Sequence, residues 1–142
     1  MKKMLVLIVV VAAAYFWLGG KLPHRILSGT VPASTTAPDT FGRASSGREV
    51  VGQGVVSRIL SDDDRGIRHQ RFILRLPSGQ TVLVAHNIDL APRVAPIRLG
   101  DTIAFKGVFV WNDKGGVVHW THRDPDGSHE AGWLKDDGHL FQ

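Results

Sequence analysis

The stretch His69 to Asn87, HQRFILRLPSGQTVLVAHN, decides the fold. Phe72, Leu74 and Leu76 alternate with His69, Arg71, Ile73 and Arg75, which is the two-residue period of a strand with one buried face. Pro77-Ser78-Gly79-Gln80 carries tight-turn chemistry, and Thr81 to Asn87 resumes the extended pattern. The segment therefore reads as two strands of a hairpin.

Working outward, Val50 to Leu60 (VVGQGVVSRIL) reads as a preceding strand, joined to the hairpin by the solvated turn Asp62-Asp63-Asp64-Arg65-Gly66. Gly52 and Gly54 suit a sharp bend that lets one strand serve two sheets. Downstream, Pro92 and Pro96 restrict Ile88 to Gly100 to a helical turn or two. Asp101 to Trp111 reads as a fourth strand with Ile103, Phe105, Phe109 and Trp111 on one face. Asn112 to Gly116 is a loop, and Val117 to His122 is a fifth strand. Asp124-Pro125-Asp126-Gly127 has the composition of a type I turn. Trp133 to Phe141, broken at Asp137-Gly138, suggests a small terminal hairpin. A three-strand meander, a short link and a two-strand hairpin give the plan of an all-β, five-stranded, OB-like Greek-key barrel.

Ahead of the barrel, Lys2 and Lys3 precede an apolar run from Met4 to Leu18. Basic residues before such a run mark a signal anchor or a signal peptide over residues 1–20. The expectation is a single-pass inner-membrane helix that places the remainder outside the cytoplasm, in the periplasm or beyond. Cleavage after Ala14 and release to the periplasm is the alternative. Residues 21–47 are rich in Ser, Thr, Pro and Ala and read as a flexible linker. Residues 48–142 read as the folded domain. With no cysteine in the chain, that domain depends on its core rather than on disulfides.

The net charge of +4 belongs to the tail. Residues 1–47 hold five basic groups and one acid, whereas residues 48–142 hold twelve of each sign. A nonspecific nucleic-acid binder carries its positive footprint on the folded domain, so nucleic acid is disfavoured as a partner. The expected partners are the membrane, through the N-terminal helix, and a ligand or envelope protein, through the barrel.

Chemistry concentrates in Val117 to Trp133, VVHWTHRDPDGSHEAGW, with three of the seven histidines. A binding face of His69, Arg71, Arg75, His86, His119, Trp120 and His122 would combine stacking rings with guanidinium groups. Its ligand would be a glycan, a peptide, a nucleic acid or an envelope partner. Alternatively, His119, His122 and His129 would hold zinc or copper, in a metal-binding protein or a metal-dependent hydrolase or nuclease. Residues three apart on a regular strand face opposite sides, so His119 and His122 converge only where the strand ends or bulges. A third reading makes these groups structural, with His119 inside the fold and His122 exposed near the turn. No nucleophile elbow or phosphate loop accompanies them, so no catalytic residue is assigned.

The separated motifs HQRFILRL, SGQT, AHNIDLAPR, GD-x-I-x-F-x-G, WN-x-KGGVVHWTH, DP-x-G-x-H and GW occur here in order. Over residues 48 to 142 this resembles a bacterial family of small envelope proteins, domain-of-unknown-function family 3465, with HWTH at 119–122 as its hallmark. The resemblance implies a shared role for HWTH, in packing or in a site, and implies no activity.

The apolar N-terminus generates a direct test. On cell fractionation the full chain is expected in the inner-membrane pellet, with its barrel open to added protease only after the outer barrier is breached. Recovery as a soluble cytoplasmic protein would contradict this.

Overall fold

The computed structural model describes residues 40–142. Residues 1–39, including the expected membrane helix and most of the expected linker, lie outside the described residues. Among the described residues no helix is long and apolar enough to cross a membrane.

Seven strands follow in order: β1 (Arg48–Ile59), β2 (His69–Arg75), β3 (Thr81–Asn87), β4 (Thr102–Val110), β5 (Val117–His119), β6 (Trp133–Asp136) and β7 (His139–Phe141). The protein is all-β, and its first five strands close a barrel. β2 and β3 pair antiparallel in full register from His69 opposite Asn87 to Arg75 opposite Thr81. β3 pairs parallel with β5, β5 pairs antiparallel with β4, and β4 pairs antiparallel with β1.

β1 closes the ring by serving both ends of the sheet. Its residues Arg48 to Val55 pair with β4, and Val55 to Ile59 pair with β2, with a register shift between Val56 and Arg58. Gly54 sits at this crossover. A Cβ there would lie 2.9 Å from the Arg75 carbonyl oxygen and 3.0 Å from the Leu74 Cβ. The glycine is a steric requirement of the bend, as the sequence suggested.

Inward-facing residues of every barrel strand fill the interior. Val56, Phe72, Leu74, Val82, Val84, Ile103, Phe105, Phe109 and Val118 are buried, joined by Leu134 from β6. The link between β3 and β4 forms no helix. It sends Val94 into the core, where the buried Gln70 amide grips it. Gln70 Nε2 donates to the Val94 carbonyl, and Val94 N donates to Gln70 Oε1, both at 2.9 Å. These two bonds make the amide a substitute for a strand partner.

Three expectations are corrected. The linker was expected to run to residue 47, yet residues 40–47 lie on the barrel. The Phe41 ring packs on Phe109 at 5.5 Å and on Phe105 at 6.2 Å. The Gln80 side chain accepts from Phe41 N and donates to the carbonyls of Phe41 and Gly115. The strand expected through His122 ends at His119, because Trp120 takes a left-handed backbone with φ 57°. Trp111 lies beyond β4, half-buried at the barrel mouth, with the Arg43 guanidinium over its ring at 3.8 Å. The terminal hairpin is present and continues the sheet along β4 as β6 and β7.

Phe105 touches the centre of this core and is fully buried. Phe105→Ala is expected to cost about 3–5 kcal/mol of unfolding free energy in a urea titration. A loss below about 1 kcal/mol would contradict its placement.

Candidate functional site

The site is built where β5 stops. Strand alternation turns Val118 inward and leaves His119 outward and part-exposed. A regular continuation would turn Trp120 inward. Its positive φ instead swings the ring out, 39 % exposed, and turns Thr121 into the interior, where His122 is also buried. A non-glycine residue in this region costs about 1–2 kcal/mol, so its surroundings must enforce it.

They do so from three sides. Fully buried His86 receives the segment from β3, with its Nδ1 2.8 Å from Thr121 Oγ1 and its Nε2 2.9 Å from the Pro92 carbonyl oxygen. A carbonyl only accepts, so Nε2 carries the proton. In the neutral ring Nδ1 then accepts from the Thr121 hydroxyl. Gly132 presses from the second side. Its amide donates to the His122 carbonyl, and a Cβ at this glycine would come within 1.9 Å of the Trp120 carbonyl oxygen. Gly107 of β4 presses from the third, where a Cβ would lie 2.4 Å from the His119 carbonyl oxygen.

The loop from Arg123 to Ala131 is itself braced. Asp124 accepts from the Ser128 hydroxyl and from the backbone N–H groups of Asp126, Ser128 and His129. These bonds, the Ser128 hydroxyl foremost, hold its carboxyl well below the usual carboxylate range. At the far end of the loop, Glu130 pairs with Lys106, which also reaches Glu49 at 3.3 Å.

Three imidazoles surround the displayed indole. The His129 ring meets Trp120 edge-on at 4.0 Å, with His122 at 5.6 Å and His119 at 6.1 Å. His122 Nδ1 donates to the Arg123 carbonyl and His129 Nδ1 to the Glu130 carbonyl. The His129 Nε2 is buried and faces no donor. Burial, and secondarily the neighbouring His69, His122 and His129, pushes the His119 imidazole below its ordinary value.

The predicted site residues therefore separate. His86 and His122 are buried, and His119 is part-exposed. The expected arrangement of a structural His119 and an exposed His122 is inverted in exposure. The two lie on opposite sides, as strand alternation gives, while the turn at Trp120 exchanges only Trp120 and Thr121. His119, His122 and His129 gather around Trp120, but among the described residues no group of three His, Asp or Glu side chains could hold a metal ion.

On the outer barrel face, Arg71 pairs across to Ala85, and the β3–β5 register carried one step further sets Ala85 beside His119. Arg71 and His119 thus stand in one row about 10 Å apart, with a small residue between them. Ile73, Leu83 and Val117 form the part-exposed row beneath. Arg75 lies about 13 Å along β2 from Arg71, outside this group. Arg71 Nε donates to the Ser61 carbonyl, which leaves the rest of its guanidinium for other partners.

Sequence reasoning missed Thr121 and Gly132, on which the display depends. Both stand inside quoted motifs, HWTH and GW, but a buried threonine latch and a close-approach glycine become visible only once the chain folds back.

A family model described as "Protein of unknown function (DUF3465)" matches residues 26–142. The match starts upstream of Arg48, in keeping with the packing of Phe41. No curated protein and no solved structure matches the chain.

Burial pushes the His86 imidazole below its ordinary value, and the bond to the Pro92 carbonyl only partly opposes this. The unfolded chain takes up a proton near pH 6.5, while the folded ring resists until lower pH. The contribution of His86 to stability is thus complete above about pH 6.5 and declines as pH falls through that value. Urea midpoints measured between about pH 7.5 and about pH 5, on either side of the unperturbed imidazole, are expected to drop on the acid side. The drop should be smaller in His86→Gln. An equal acid loss in both proteins would contradict the assignment.

Proposed function

We propose that the chain, which belongs to the DUF3465 family of unknown function, is a ligand-binding module that grips its ligand between Trp120, His119 and Arg71. The observation that carries this is the display of Trp120. The two residues after it, Thr121 and His122, are buried and bonded, the backbone is held left-handed, and the large ring is left part-exposed. A scaffold role would favour a buried tryptophan on a relaxed backbone. An exposed one is suited to stacking against a flat ligand ring, with Arg71 and His119 supplying donors beside it.

The strand order β1-β2-β3-β5-β4, closed by β1 on β4, supports an OB-like Greek-key assignment. The face formed by β2, β3 and β5 suits such a ligand. The tail composition supports membrane tethering, with the barrel outside the cytoplasm. There a glycan ring stacked on Trp120 fits the site's chemistry, and the zero net charge of residues 48–142 argues against a nucleic acid.

Trp120→Gly separates display from scaffolding, because glycine accepts the left-handed backbone without strain. The variant is expected to melt within about 4–8 °C of the wild type. It should also lose at least about tenfold in affinity for glycans that the wild type captures on an array. Capture of single-stranded DNA or peptides instead would redirect the ligand class. Unchanged glycan affinity in Trp120→Gly would refute the site.

A further inference from the structure

A second feature lies where β7 faces the link between β3 and β4. A groove of about 900 Å³ runs between them. Asp101, Asp136 and Asp137 line it, against one guanidinium, Arg98, and one imidazole, His139. Three consecutive residues, His139, Leu140 and Phe141, also line it. Consecutive strand residues alternate between faces, so a wall that uses all three presents the strand edge-on.

That edge is open. β7 closes the strand order and, among the described residues, pairs only with β6. The hairpin turns through Asp137 (φ 44°) and Gly138 (φ 80°), both left-handed, as in a two-residue type I′ turn. Asp136 and His139 flank the turn as a hydrogen-bonded pair, and Lys135 opposite Leu140 is the next, non-hydrogen-bonded pair. The N–H and C=O of Leu140 consequently point away from β6, along the groove. The Leu140 side chain is 52 % exposed.

We propose that this groove binds an extended, basic peptide segment of a partner protein, which pairs with Leu140 and places a Lys or Arg among Asp101, Asp136 and Asp137. One free residue offers only two main-chain bonds, so the strand edge sets direction and register, while affinity comes from the carboxylates. Burial, then the adjacent Asp101 and Asp137 charges, pushes the Asp136 carboxyl up, and an incoming cation relieves that crowding. No residue of the Trp120 cluster takes part, so this site and the ligand site can fail separately.

The test uses full-length protein in neutral detergent micelles and fluorescence anisotropy with short labelled peptides of alternating Lys and Val. Binding is expected, weakened at least about tenfold in Asp136→Asn/Asp137→Asn and at least about tenfold for the matching Glu/Val peptide. N-methylation of alternate peptide amides removes the paired donors without touching the protein, and should weaken binding to a similar degree. Absent binding of the Lys/Val peptide, equal binding of the Glu/Val peptide, an unchanged double variant, or indifference to N-methylation would each overturn the proposal.

Discussion

The latch between His86 and Thr121 is the interaction on which the Trp120 end of this barrel depends. One neutral imidazole, wholly inside the fold, joins β3 to the link through Pro92 and to the segment after β5 through Thr121. A buried polar group that loses a partner costs about 1–3 kcal/mol, a large share of a small domain's stability. The ring is therefore committed to structure. Its position fixes Thr121 inward, and with Thr121 inward the residue before it is thrown outward.

That consequence explains why Trp120 stands in a conformation that a tryptophan rarely adopts. The strain is offset by the bonds and packing around it. Gly132 and Gly107 approach too closely for any side chain, and the Asp124 and Lys106 interactions brace the returning loop. The indole has three imidazoles around it and stays part-exposed.

The barrel itself was legible in the sequence because its signal is local. Alternation in Phe72, Leu74 and Leu76, the turn at Pro77 to Gln80 and the glycines of β1 each report on immediate neighbours. The parts that were not legible depend on distant contacts. Nothing local shows that Trp120 breaks the period, because the cause lies in His86 and Gly132. Phe41 reads as part of a polar linker until Phe105 and Phe109 are placed beneath it. His119, His122 and His129 gather around Trp120, and His119 and His122 face opposite sides as strand alternation gives. Yet the outward turn of Trp120 and the inward turn of Thr121 were not legible, because one left-handed residue exchanges those two.

The account rests on His86 being a neutral, doubly bonded ring, and nuclear magnetic resonance reads this directly. Long-range proton–nitrogen correlation of the imidazoles, followed as pH falls through about 6.5, gives protonation and tautomer for each ring. The account predicts that His86 remains neutral there, in a single tautomer with the proton on Nε2, while an unperturbed imidazole is half charged. A His86 that titrates near 6.5 like a free imidazole, or that exchanges between tautomers, would contradict it.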